Sequence, residues 1–375
     1  MLAFLIVPLV IAVPYLTFQY LDAKSRVSAG EKLVPFHKSR GMMACQHQAV
    51  FTITVPAIFL AGPLLEMSSW LPLCLWLAYG AIWIAFCLPA SFIHGANKNL
   101  LDFYVAFINP LYQMTLVLGC VLPTQMSSPT LFALALLATL AKAGICMSVC
   151  LHRFAAHAAF RCGPLTTFAL SWLGCMANQG GPIWWASQHR CHHKFCDDKR
   201  DPHSPQLMGV VKAFAFFSVP TNQSIIDEFV PPHLDSWPIR VLDTFGYVPV
   251  AVELALAYYF GGLAGLWISY TSLWCCQTVT LWFNVVNHPP HTEDQVACVA
   301  SDHCDSTKVA APSLFFKYLN LWLFVPGLIG EEAHLHHHDY PRCAERPGWD
   351  LPGLLFIKPL QAAGLIWKVQ GERPE

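Results

Sequence analysis

Polar residues are sparse along this chain, and long apolar runs separate them. Seven runs stand out, at residues 2–20, 49–66, 69–92, 102–123, 130–151, 243–261 and 264–287. A bilayer core of about 30 Å is crossed by about 20 helical residues, so each run is long enough to span. The first run has no basic residue before it, and Lys24 and Arg26 follow it. That is the order of a retained span, not of a cleaved signal peptide. Two further apolar stretches, 164–187 and 313–329, are expected not to cross. Pro164, Gly180, Gly181 and Pro182 interrupt one, and Pro312, Pro326 and Gly327 bound or break the other. A crossing at either place would send histidine clusters to opposite sides of the membrane. Both are read as interfacial helices on the cytosolic face, with Trp184 and Trp185 at the interface.

Basic residues orient the spans. Lys24, Arg26, Lys32, Lys38 and Arg40 follow the first run, Lys98 precedes the fourth, and Arg153, Arg161, Arg190, Lys194, Lys199 and Arg200 follow the fifth. The connections at 67–68, 124–129 and 262–263 have no Lys or Arg. All the basic segments then share one side, which is cytosolic by the positive-inside rule, and the N-terminus is lumenal.

Composition supports this pattern. The 375 residues are 55% hydrophobic and 12% charged, about half the charged share of a soluble protein. Such a chain has too little charge to cover a soluble surface. A disordered chain, a disulfide-stapled secreted domain and a basic nucleic-acid binder are excluded, so no nucleic-acid partner is expected. The 15 cysteines are odd in number, irregularly spaced and mostly inside apolar runs, which marks them as reduced thiols. Lys142 and Glu253 lie at mid-span depth, where a charge is expensive.

The 17 histidines change the picture most. Three clusters hold many of them: His152 and His157; His189, His192 and His193; His334, His336, His337 and His338. In the second and third, the spacing i, i+3, i+4 puts three imidazoles on one helical face, aimed at one small volume. His336 then points away from His334. His152 and His157 are five apart and diverge on an α-helix, so they should serve different ions unless the helix ends between them. A fourth site, Asn284-Val-Val-Asn287-His288-Pro-Pro-His291, contains two nested pairs, Asn284/His288 and Asn287/His291. Pro289 and Pro290 would break a helix inside the second pair, whereas the first occupies an uninterrupted turn. His37, His47, His94, His233 and His303 are read as interfacial or capping residues, and His203 is left open.

About nine histidines returned to one membrane face point to metal, because buried imidazoles need partners. Imidazole suits Zn, Cu, Fe or Ni. Nine nitrogens suffice for two ions with an open position, which fits a redox pair of irons better than a closed zinc site. No H-E-x-x-H motif supports a metalloprotease. Asp197, Asp198, Asp201, Glu331, Glu332 and Asp339 flank the clusters as candidate acceptors for imidazole N–H groups.

HRFAAH (152–157), HRCHH (189–193) and HLHHH (334–338) together resemble the three histidine boxes of the membrane fatty acid desaturases, in particular the acyl-CoA, stearoyl-type branch. GGPIWWASQHRCHHKFCDDKRDPHSP (180–205), VVNHPPH (285–291) and GEEAHLHHHDYP (330–341) extend the likeness, which covers about residues 100–370. The family usually has two Asn where Leu335 and His336 stand. The resemblance implies an all-α polytopic membrane protein: a four-helix core bundle, extra N-terminal spans and a cytosolic, histidine-rich di-iron cap. It implies a catalytic domain at 96–370, with 1–95 as an N-terminal transmembrane extension outside the likeness and 371–375 as a tail.

The same resemblance implies nine metal ligands: His152, His157, His189, His192, His193, His334, His337, His338 and, from the flanking Val-Asn, His291. Asn287 would hold a metal-bound water, and Asp201 and Glu331 would orient ligands. The implied reaction is O₂-dependent insertion of a cis double bond into a long acyl chain, with two irons as cofactor. Its partners are an acyl-CoA or other fatty acyl substrate, membrane lipid, and an external electron donor, cytochrome b5 or a ferredoxin, since no heme-binding H-P-G-G is present. Arg153, Arg190, Lys194, Lys199 and Arg200 are candidate headgroup residues and equally candidate membrane anchors. The expected location is the endoplasmic reticulum with a cytosolic site, the plastid or bacterial inner membrane being the alternatives. A hydroxylase, or a desaturase of lipid-linked or sphingoid substrates, is the alternative on the same scaffold. A metal transporter fits less well, because transporters place ligands at the bilayer midplane.

Overall fold

A computed structural model describes residues 17, 21, 24–32, 81, 128–208, 213, 225–288, 328–331 and 334–371. Apart from isolated residues, the expected spans at 2–20, 49–66, 69–92 and 102–123 and the stretch 313–329 lie outside them. The described residues are mostly helical and fall into two units.

The first unit includes the start of α1 (Pro129–Ala141) and the Thr244–Trp274 stretch. Ser128 Oγ accepts from Thr130 N at 3.3 Å and begins α1, and the Ala/Leu-rich sequence propagates it. Phe132 meets Trp267 edge to face at 5.3 Å. Leu134, Leu136 and Leu137 are exposed, as on a lipid-facing surface.

The helix α5 (Val248–Asn287) carries one non-helical residue, Gly262, at φ 55° and ψ −145°. Glu253 and Ser269 are 16 residues apart, about 24 Å along a straight helix. Their side chains nevertheless hydrogen-bond, Ser269 donating to Glu253. A Cβ on Gly265 would also collide with the carbonyl of Ala257. The chain therefore folds back at Gly262, and the runs 243–261 and 264–287 are two arms of a helical hairpin. Only glycine accepts that backbone geometry without strain.

In the second unit, α1 continues without a break into a π-helix, Lys142–Ala156, which packs on α2 (Pro164–Cys175) and α3 (Pro182–Phe195). Together 129–156 form one apolar helix long enough to cross a bilayer; among the described residues, Val248–Val285 is the other apolar stretch of that length, but it is bent at Gly262 into two arms. Asp243, at the end of α4 (Trp237–Thr244), fastens the start of α3. Its Oδ1 accepts from Ile183 N at 2.7 Å and Trp184 N at 2.9 Å. A Cβ on Gly181 would fall on that carboxylate, so glycine there permits the close approach.

Two expectations change and one holds. The chain is not wholly α: β1 (Arg161–Cys162) pairs antiparallel with β2 (Ile366–Trp367). The expected break in the 164–187 stretch is present, between α2 and α3. Trp184 and Trp185 are buried rather than interfacial. Gln179 accepts the Trp185 indole N–H at 2.7 Å, and Trp185 stacks on His189 at 4.8 Å. The nine described cysteines are free.

Candidate metal centre

The first-box histidines meet because of the π-helix. On an α-helix residues five apart diverge, but a π-helix bonds residue i to i+5. His157 N donates to His152 O at 3.2 Å, and the two rings stand 5.0 Å apart. The expected divergence is thus overturned by the local winding. Such π turns recur at functional sites.

The histidines form two main groups, and a third set, His192, Asp201 and His203, shares His192 with the second. His152, His157, His189, His193 and His337 form the first, each offering a ligand atom within 4.8 Å of the others. His192, His288 and His338, with Cys196, form the second under the same limit. The boxes are therefore split between groups. His189 and His193, one α-helical turn apart, face the first group, while His192 faces the second. On α6 (His334–Asp339) His337 and His338 part in the same way. The expectation of one volume per box fails for a simple reason. Positions i+3 and i+4 are neighbours in sequence, about 100° apart on the wheel, and they straddle two adjacent sites.

Carboxylates hold the outer nitrogens. Glu331 accepts from His152 Nδ1 at 2.9 Å. Asp201 accepts from His192 Nδ1 at 2.8 Å and from the backbone N–H groups of Asp197 and His203. Asp197, in the left-handed region at φ 59°, accepts from His288 Nδ1 at 3.3 Å, and from Ser204 and Gln206. A carboxylate on Nδ1 fixes the tautomer that leaves Nε2 free for metal. Burial pushes Glu331 up, yet Arg346 and His152 beside it hold its carboxyl well below the usual range. Burial and then the His288 hydrogen bond oppose each other at Asp197 in the same way, with the bond prevailing.

The first group fits a metal ion on its own geometry. Nε2–Nε2 contacts run from His152 to His337 (2.8 Å), His337 to His193 (2.9 Å), His193 to His189 (3.0 Å) and His189 to His157 (3.0 Å). A neutral imidazole Nε2 supplies one donor or one acceptor. Five such atoms make at most two hydrogen-bonded pairs, so these four contacts cannot all be hydrogen bonds. A shared cation resolves the conflict. Burial pushes the pKa of His157, His189, His193 and His337 well below the ordinary value, which keeps their lone pairs available. Burial, then His288, lowers His192 to about 3.

Other expected residues take different places. Arg153 is wholly buried and bonded on both arms to Asp350, at 2.6 and 3.0 Å, so it cannot reach a headgroup. Arg190 is half-buried and donates to Ala156 O. Lys194, Lys199 and Arg200 are exposed, Arg200 pairing with Glu228 at 2.9 Å. The ring of His336 packs on Tyr340 at 5.0 Å. His233 donates to Phe154 O at 3.0 Å, a structural contact. His334 opens α6, and its side chain and the whole of His291 lie outside the described residues. Asn287 donates to Phe283 O within its own helix, whereas Asn284 donates to His203 O. His288 is the alternative that the sequence offers to His291, whereas His203 is not marked there as a ligand. The uninterrupted Asn284/His288 turn was the signal for His288, and no spacing marked His203.

An apolar pocket opens beside both groups. His152, His189, His192 and His203 line one part, and Met147, Trp185, Val279, Phe283 and Ile329 line the rest. The sequence matches the fatty acid desaturase family over residues 126–352. The chain belongs to the fatty acid desaturase family. Three relatives illustrate the family's range. The chain is 30% identical to an acyl-CoA 5-desaturase of Anemone leveillei, over 58% of this chain and 65% of the relative. It is 27% identical to an sn-2 palmitoyl-lipid 9-desaturase of Nostoc sp. (strain 36), over 62% and 78%. It is 25% identical to a hex-5-enoyl-[acyl-carrier protein] acetylenase of Moorena producens (strain JHB), over 60% and 72%. These relatives are named for acyl-CoA, acyl-lipid and acyl-carrier-protein substrates.

Proposed function

We propose that this chain is an O₂-dependent desaturase that places a cis double bond in a long fatty acyl chain, held as acyl-CoA. The observation that carries this reading is two histidine groups opening on one apolar pocket. Two irons are the proposed cofactor; when bound, they supply the oxidant for an unactivated C–H bond. His152, His157, His189, His193 and His337 would hold one. His192, His338, His288 and His334 would hold the other, with His288 favoured over His291 by its place in the group.

The protein's own work is positional. Glu331, Asp201 and Asp197 aim imidazoles by holding Nδ1–H. Met147, Val279, Phe283 and Ile329 line the pocket with apolar groups, excluding water around one methylene. Asn284, at the pocket wall, takes the water-orienting role first assigned to Asn287.

Arg190 and exposed Arg342 support an anionic headgroup. Arg342 lowers the Arg190 pKa after burial does, and neither has a carboxylate partner among the described residues. Electrons would come from cytochrome b5 or a ferredoxin. A four-helix membrane core, the catalytic domain 96–370 and a cytosolic site at the endoplasmic reticulum complete the proposal.

The test is expression in a desaturase-deficient host with double bonds mapped in its lipids and acyl-CoA pool. A new cis double bond, appearing first in acyl-CoA, is expected. Hydroxylated product, or a bond formed only in lipid-esterified chains, would contradict it.

A further inference from the structure

Arg153 is a buried cation without a part in the proposed reaction. It directly follows His152 in the π-helix and has no solvent exposure. Both terminal nitrogens of its guanidinium are engaged by residues on either side of the third box. It grips Asp350 with both arms and donates to Ala344 O at 2.8 Å and Gly330 O at 3.0 Å. Its Nε lies 3.5 Å from Glu331 Oε1. Asp350 also accepts from Arg346 N and Gly353 N, each at 3.1 Å.

The site is built tightly around this pair. A Cβ on Gly330, which has φ +76°, would collide with Arg153 and Asp350, and one on Gly353 would collide with Asp350. Arg346, placed by its backbone bond to Asp350, donates to Glu331 Oε2 at 3.3 Å and faces His337 Nδ1 at 3.1 Å. Glu331 thus sits between two guanidinium groups; Asp350 holds that of Arg153 directly and Arg346 through its backbone N–H. The carboxylate that receives His152 Nδ1–H has little freedom left.

We infer that Arg153 and Asp350 are positioning residues: they lock Glu331 against His152 Nδ1 and so turn His152 Nε2 into the five-histidine group. This removes Arg153 from any headgroup site and makes the chain at 344–353 part of the metal site's frame. Lysine cannot replace Arg153, because a point charge lacks the two-armed geometry that the carboxylate and the carbonyls require. The inference rests on the di-iron reading, because it concerns the ligands of one of the two proposed ions.

The experiment uses the full chain, purified in detergent and loaded with iron, with metal content, Mössbauer spectrum and thermal midpoint as readouts. Wild type should hold about two irons in two environments, and outer-shell losses weaken metal binding by about 10–100-fold. Asp350→Asn and Arg153→Lys should each lose the five-histidine iron while the other environment keeps its spectrum. The double variant Arg153→Met/Asp350→Leu guards against simple unfolding, since apolar replacement of both members of a buried pair is often neutral. Stripped of metal, it should regain the thermal midpoint of metal-stripped wild type, and on loading it should not regain that iron.

Loss of both irons in parallel, of neither, or of only the second-group iron overturns the inference. So does a double variant that recovers both midpoint and iron, because the pair would then serve packing alone. Wild type without two irons would instead sink the di-iron reading itself, and the two failures are told apart by the wild-type sample.

Discussion

The five-histidine group is surrounded by a carboxylate–guanidinium frame, while the His192/His288/His338 group is surrounded by carboxylates. Around the first, Glu331 and Asp350 are matched by Arg153 and Arg346. Around the second, Asp201 and Asp197 each take an imidazole Nδ1–H, and their other partners are backbone amides, Ser204, Gln206 and the Cys196 thiol. The first group is all imidazole, and the second includes a thiol. The difference teaches that two ions bound by the same helices would not be equivalent. The second stands in the more negative surroundings, whereas the first depends on a frame that the C-terminal segment closes.

The largest effect should come from breaking the first group. His337→Ala is expected to reduce desaturation by far more than the 10–100-fold typical of an outer-shell loss, whereas His336→Ala keeps much of it. His337 belongs to the five-histidine group and His336 packs on Tyr340. Product assays on the two variants check this; equal losses would remove the assignment of faces on α6.

Next is the second group. His288→Ala should lose its iron and leave the five-histidine iron spectrum intact, while His291→Ala keeps both. Metal analysis of the two variants decides between the nested asparagine–histidine pairs. Iron loss in the His291 variant alone would restore the pair that ends past the prolines.

Much of this was legible in the sequence. Three histidine boxes, their convergence on one region, and the run 130–151 as a helix followed from spacing and hydropathy. So did the two arms of α5, because Gly262 lies where the apolar runs part. The sharing of ligands was not legible. An α-helical wheel assigns His189, His192 and His193 to one face and separates His152 from His157. The first fails because two sites lie side by side, and the second because the backbone winds as a π-helix, which residue spacing does not reveal. The role of Arg153 was hidden for a related reason. A basic residue at the end of a span looks like a membrane anchor until Asp350, almost two hundred residues on, is brought to it.

A smaller effect separates the groups from their metal. Burial lowers His157, His189, His193, His337 and His338 well below the ordinary imidazole value, and His192 to about 3. In the metal-stripped chain this stabilises the fold above about pH 6.5, where unfolded and folded histidines are both neutral. As the pH falls below that, the unfolded chain takes up protons that the buried rings refuse, so stability declines towards about pH 3. Each group adds at most about 1.4 kcal/mol per pH unit. Thermal midpoints of the stripped chain between pH 7.5 and 4, roughly the window set by these shifts, should fall steadily with acid. A flat profile would show that the rings are not buried and neutral.

The smallest effect concerns the thiol. Cys196 Sγ lies 3.8 Å from both His288 Nδ1 and Asp197 Oδ2, on the outer side of that imidazole. Cys196→Ser should therefore keep iron at both sites, with at most a slight shift of the second-group spectrum. Loss of that iron would make the thiol a ligand and deepen the contrast between the groups.

The most direct measurement for the whole account is the metal content of the purified full chain. Two distinct histidine groups predict about two irons per chain, held through nitrogen ligands. One zinc and no iron would contradict it.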